Sequence, residues 1–295
     1  MKKKLITILI ITLVLITITI IILPKDKKEY HLIELTGTEL VQTILQDNVS
    51  ITFALYNDKD IQAGDFYEDL KKTVKQANEN IYYVNTNFVT IEFDEIISSV
   101  TGAEVNKQSY FAIQDGKIVL QNTYSNFKTM FKELNGKKYE TKLKEISKEE
   151  KLKKLGEAKE QYKEGNIAKA FNFLCEAWTL EEAKEEYNNN PFYKILGSWG
   201  SYEKVENEEN TKYTNFYFMN YASELYIATK EDKIEGFEKP TIDEYKTYDI
   251  LVKEDYVYIK NKKNKYEKKY EIITISPYTL TLKDNDKRYN LQLEL

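Results

Sequence analysis

The chain has 295 residues, a formal net charge of -5, one cysteine, one histidine, ten glycines and four prolines. The single cysteine, Cys175, excludes an intrachain disulfide scaffold and any two-cysteine redox motif. The lone His31 excludes a site built from several His and Cys ligands. Arg288 is the only arginine among 43 basic residues, which together with the acidic balance argues against a nucleic-acid partner.

Leu5 to Leu23 is a run of 19 residues without a charge. As a helix it extends about 28 Å, close to the hydrocarbon thickness of a bilayer. Lys2, Lys3 and Lys4 precede it, and its end at Ile21-Ile22-Leu23-Pro24 offers no small-residue cleavage site. The reading is an uncleaved single-pass anchor within residues 1–29. A short N-terminal tail usually stays inside, so residues 25–295 are expected to be extracytoplasmic. That part carries 40 basic and 48 acidic residues, a soluble surface that does not adhere to anionic lipid. The shortage of cysteine fits an exported protein of a Gram-positive bacterium, and the excess of Lys, Ile, Asn and Tyr fits an AT-rich genome.

Composition divides the rest into an α/β domain over 30–140, a helical hairpin spacer over 141–190 and an all-β domain over 191–295. Within the first, Ser50–Tyr56 is a run of β-formers. Helical spacing follows through Phe66, Leu70, Val74 and Ala77, with Asp65 as candidate N-cap. Ile81–Asn85 is a second strand, and Phe93, Ile96, Ile97 and Val100 form another helical stripe. Ser109–Ile113 and Lys117–Leu120 flank Gln114-Asp115-Gly116, an Asp-Gly hairpin turn. Phe127, Met130, Phe131 and Leu134 mark a last helix.

This order over residues 49–134, with its closing strand, Asp-Gly turn, strand and amphipathic helix, resembles the thioredoxin fold. The resemblance implies a redox pair near Asp58 and Ile61 and a cis-proline near Gln108. None of these residues is present, so a redox-inactive scaffold is expected. Asp58 and Asp60 are read as a solvated turn, since two carboxylates are too few for calcium. His31 is read as a surface residue.

Residues 148–187 read as two helices. Gly165, Ala170, Leu174 and Ala177 occupy turn and packing positions that resemble one tetratricopeptide repeat. A single copy implies a lone hairpin packed on a neighbour, with a peptide groove as the other reading. Cys175 shares the apolar face of Phe171, Leu174 and Trp178, where a thiol behaves as a small hydrophobe. Glutamates 181, 182, 185 and 186 read as a solvated helix face.

Gly197-Ser198-Trp199 opens a series of seven or eight short strands, which resembles bacterial lipocalin-like domains and implies an up-and-down β-barrel. Trp199, Phe216, Phe218, Tyr226, Tyr248, Tyr258 and Tyr270 are the candidate lining of a ligand cavity, or else they fill the core. Asp284-Asn285-Asp286 lacks the rest of a calcium loop and reads as a hairpin tip.

No catalytic triad, phosphate-binding glycine loop or metal cluster is visible, and no cofactor is expected. The leading expectation is a membrane-anchored, non-enzymatic binding or assembly module with a protein or peptide partner in the cell envelope. The alternatives are a thiol-redox or bacteriocin-export accessory protein, and a carrier of a small hydrophobic ligand in the barrel.

Overall fold

The computed structural model describes residues 29–135, 145–204, 210–220, 222–233, 239–260, 265–285 and 287–294. The expected anchor over residues 5–23 lies outside them. Among the described residues no helix is long and apolar enough to cross a membrane.

The N-terminal part is an α/β unit on a five-stranded mixed sheet. Its strands are β1 (Leu32–Glu34), β2 (Ile51–Tyr56), β3 (Ile81–Asn85), β4 (Ser109–Gln114) and β5 (Lys117–Thr123), in the order β1-β3-β2-β4-β5. β3 runs parallel to both β1 and β2, whereas β4 is antiparallel to β2 and β5. Four helices accompany the sheet: α1 (Gly37–Ile44), α2 (Ala63–Ala77), α3 (Ile91–Thr101) and α4 (Phe127–Leu134).

Strand alternation sorts side chains to two faces. Phe53, Leu55, Val84 and Phe111 join Leu40, Phe93 and Ile97 in one core. Ala54, Ile81, Tyr83 and Tyr110 join Phe66, Leu70, Val74 and Met130 in the other. The Asp115-Gly116 turn takes left-handed backbone at both residues, with φ of 50° and 73°.

One local expectation is corrected, and one segment is added to those read from the sequence. Asp65 lies inside the first turn of α2, where it complements the helix dipole, and Gln62 is the N-cap without a side-chain bond. The segment after His31 is also structured, because β1 extends the sheet and α1 starts at a Thr36/Glu39 capping box. His31 itself is exposed, with its backbone bonded to Asn80 and Ile81.

The spacer contains three helices where two were expected: α5 (Lys148–Lys163), α6 (Ile167–Glu176) and α7 (Glu181–Asn189). Lys184 in α7 reaches Glu34 of the sheet at 3.1 Å, so this face is tied to a neighbour in addition to being solvated. The β-rich part is a closed antiparallel barrel of β6 (Gly197–Lys204), β7 (Asn210–Phe218), β8 (Glu224–Lys233), β9 (Lys246–Lys253), β10 (Tyr256–Lys260), β11 (Tyr266–Ile275), β12 (Thr279–Asp284) and β13 (Lys287–Glu294). Successive strands pair, and β13 closes onto β6.

One apolar core runs from the helices into the barrel. It joins Leu155, Ala170, Leu174 and Trp178 to Tyr193, Trp199, Phe218 and Val252. Gly165 makes the junction tight. Its φ is +85°, and a Cβ there would sit 2.7 Å from the Val252 carbonyl oxygen. The Val252 amide donates to the Gly165 carbonyl at 3.1 Å.

The N-terminal unit contributes one ring to this core, Phe88, from the turn after β3. Phe88 stacks on Trp178 with centroids 3.5 Å apart and meets Tyr187 edge-on at 5.0 Å. A buried ion pair, Lys151 to Glu39 at 2.7 Å, fastens α5 to α1 nearby.

Candidate functional site

The adjacent parallel strands β2 and β3 end side by side, and the residues just beyond them are held by amide side chains. Gln108 is buried and brackets the backbone of Asn57. Its Nε2 donates to the Asn57 carbonyl at 2.7 Å, and its Oε1 accepts from the Asn57 amide at 3.1 Å. The Asn57 side chain donates to the Asn106 carbonyl at 2.9 Å and accepts from the Lys59 amide at 3.0 Å. Asn85 Nδ2 donates to one oxygen of Asp58 at 3.0 Å, and Asn87 Nδ2 donates to the other. Asp58 is thereby a fixed anion oriented by two neutral amides.

These are the positions where the thioredoxin resemblance would place redox chemistry, and they hold different chemistry here. Asp58 and Gln108 come together through Asn57, while Ile61 points fully into solvent. Asp60 turns away from Asp58 to accept from the Gln62 amide at the start of α2. Among the described residues no His, Cys, Asp and Glu side chains form a group of three or more that could hold a metal ion. Cys175 is buried in the helical core, where burial pushes its thiol well above the ordinary value and the Glu176 carboxylate adds to the effect.

A cleft of about 550 Å³ opens beside the amide cage, at the meeting of all three parts of the molecule. Asp58, Lys59, Asn87 and Phe88 form its N-terminal wall. Phe171, Tyr187 and Asn188 come from the helices, Tyr193 from the turn before the barrel, Tyr217 and Asn220 from the end of β7 and the residues after it, and Tyr278 from the β11–β12 turn. The walls are therefore aromatic with interspersed amides, a composition suited to extended polypeptide. Tyr278 stands at 64% exposure on this lining.

Two tyrosines at the cleft are held neutral by their surroundings. Burial, with the Asp58 carboxylate, pushes the Tyr187 phenol up to about 12. Tyr193 is almost fully buried, and its phenol is also raised by burial and by Glu186. The Tyr193 hydroxyl has no hydrogen-bond partner, a costly state for a buried donor. Sequence reasoning missed Asn85, Asn87, Tyr187 and Tyr193. Asn85 and Asn87 sit at and just past the end of β3, where functional side chains concentrate, whereas Tyr187 in the last turn of α7 and Tyr193 in the turn before the barrel carry no such local signal.

The candidate barrel lining divides by strand parity. Trp199, Phe216, Phe218 and Tyr270 are buried in the interior core, and Tyr248 packs against it. The Trp199 indole donates to the Ile195 carbonyl at 2.7 Å. Tyr226 pairs across strands with Thr247 and Tyr217 and bonds Glu224, and Tyr258 meets the rings of Tyr256 and Tyr266. Both alternate with inward residues, Leu225 and Ile259 respectively, and belong to the outer surface. At the β12–β13 turn Asp284 is paired with Lys268 at 2.6 Å, and Asp286 lies outside the described residues.

No family model matches the chain, and no curated protein matches it. A solved structure described as the NMR structure of the protein from Bacteroides uniformis ATCC 8492 is similar to part of it. The two share 9% identity and a TM-score of 0.26, over 34% of this chain and 88% of that one.

Proposed function

We propose that this chain is a membrane-anchored, extracytoplasmic bacterial binding module without enzymatic chemistry, and that its central cleft holds an extended segment of a partner polypeptide. The anchor rests on the uncharged run at residues 5–23. The strand order β1-β3-β2-β4-β5 with its accompanying helices supports a thioredoxin-like N-terminal domain. The single helical pair turning at Gly165 supports a repeat-like hairpin, and the closed up-and-down barrel supports a lipocalin-like domain.

The observation that carries the binding reading is the lining of the cleft. It combines a carboxylate held in place at Asp58 with exposed and half-buried aromatics and neighbouring amides. The rings supply apolar contact to an entering segment, and the Asn188 and Asn220 amides offer it hydrogen-bond partners. The interior of the barrel is occupied by Trp199, Phe216, Phe218 and Tyr270, which favours binding at the cleft over binding inside the barrel.

The test is selection of displayed peptides on the full chain, followed by measuring their binding to an Asn188→Trp variant whose added indole fills the cleft. Selected peptides should bind Tyr278→Ala about tenfold more weakly, the effect of losing one aromatic contact. Tyr278 is largely exposed, so the melting temperature should not change. Peptides that bind both variants as tightly as the parent would place recognition elsewhere and refute the reading.

A further inference from the structure

The hydrogen-bonding side chains of the cleft are unevenly divided between donors and acceptors. Lys59 and Lys194 belong to the lining, and an ammonium group can only donate. The Asn188 and Asn220 amides and the Tyr278 hydroxyl can both give and accept. Among the described lining residues Asp58 is the one side chain that can only accept, and both of its oxygens already do so, from Asn85 and Asn87. An occupant that offers carbonyls and has few N–H groups to satisfy matches this inventory.

The backbone around the cleft favours the same kind of occupant. A segment bound as an added β-strand needs an unpaired strand edge. The barrel is closed, and the edges of the mixed sheet are β1 and β5, neither of which contributes a residue to the described lining. Without a ladder, each N–H of an ordinary segment gives up water and meets no fixed main-chain acceptor. Proline has no N–H, and a polyproline II helix makes no internal hydrogen bonds and is ordered before it binds. Its rings dock against aromatic side chains, which the lining supplies at Tyr187, Tyr217 and Tyr278. The lining carries both signs of charge, at Asp58 and at Lys59 and Lys194, so a segment of one strong charge meets a like charge in the same cleft.

From this combination we propose that the segment held in the cleft is a neutral, proline-rich one in the polyproline II conformation, its carbonyls accepting from the asparagine amides and lysines and its rings lying against the tyrosines. The proposal rests on the reading of the cleft as a polypeptide site and specifies the chemistry of the occupant.

The experiment is calorimetric titration of the full chain in detergent with three peptides of equal length: decaproline, a neutral Gly-Ser decapeptide and decaglutamate. Decaproline should bind about tenfold more tightly than the Gly-Ser peptide. Its affinity should fall about fivefold in Tyr278→Ala, which removes a ring, and in Asn188→Leu, which removes a donor. Both residues are exposed, so unchanged melting curves separate lost contact from lost fold. Lys269→Glu, an exposed change outside the lining, should leave binding unaltered. Peptides selected on the full chain should likewise be enriched in proline. Selected peptides that depend on Tyr278 yet are poor in proline would overturn this proposal while the cleft reading stands. Selected peptides insensitive to Tyr278→Ala and Asn188→Trp would overturn both. No binding of decaproline, equal binding of the Gly-Ser peptide, or decaproline binding untouched by both cleft variants would also overturn the proposal. Tighter binding of decaglutamate would overturn it in favour of an acidic segment.

Discussion

Phe88→Ala should separate the N-terminal unit from the rest of the molecule. Phe88 is 7% exposed and stacks on Trp178 at 3.5 Å with the ring planes 8° apart, while Tyr187 closes its edge at 5.0 Å. Deleting a buried phenylalanine costs about 3–5 kcal/mol, and two aromatic pairs supply about 1–3 kcal/mol of that. Since the ring belongs to one unit and its pocket to another, most of the loss falls on docking. Among the described residues two ion pairs, Lys151 to Glu39 and Lys184 to Glu34, also tie the units. Thermal unfolding of the full chain should therefore change from one transition to two, the first lowered by about 2–4 °C per kcal/mol lost. Tryptophan emission should shift to the red at that first transition, because Trp178 loses its cover while Trp199 stays inside the barrel. A variant that melts in one transition within about 2 °C of the parent, with unchanged emission, would refute the role of this ring as the seam.

Other consequences follow from the same contacts. Lys151→Met leaves Glu39 buried without its cation and should cost about 3–5 kcal/mol in denaturant unfolding, most of it restored in the Glu39→Gln/Lys151→Met double variant. Gly165→Ala should destabilise by about 1–3 kcal/mol, whereas Gly156→Ala within α5 meets no neighbour and should stabilise by about 0.5–1 kcal/mol in the same assay. Tyr162 and Tyr187 have phenols raised from 10.0 to about 12, mainly by burial. The folded state holds these protons more tightly than the unfolded chain, so their stabilisation is complete below pH 10 and is lost as pH rises toward 12. Absorbance titration of tyrosinate should show a class of tyrosines that ionises only with alkaline unfolding; ionisation of every tyrosine near pH 10 in the folded protein would contradict the assignment.

Much of the fold is legible in the sequence because the barrel strands alternate and end at polar turns, as between Val257, Ile259 and the tyrosines beside them. That same alternation carries the information that Tyr258 faces outward. The segment β1–α1 is harder to read, since β1 has three residues and depends on β3 for pairing; the Thr36/Glu39 capping box was its one local signal. The break before α7 lacks a proline or glycine, and Leu180 caps the helix without a side-chain bond, so the second and third helices merge in a linear reading. At the site, Asp58 and Gln108 are identifiable by their places after and before strands. The amide cage needs the β2–β3 register to bring Asn85 and Asn87 to Asp58. The cleft needs the docking of three units through Phe88 and Gly165, contacts between distant segments that no local pattern encodes.

The most direct test of the central claim is hydrogen exchange on the full chain with and without a peptide selected on it. The account predicts protection at residues 86–88, 187–197 and 277–278, which border the cleft, with no change at the β5 edge, residues 117–123. Protection at β5 or along the β10–β11 hairpin, with the cleft segments unchanged, would contradict it.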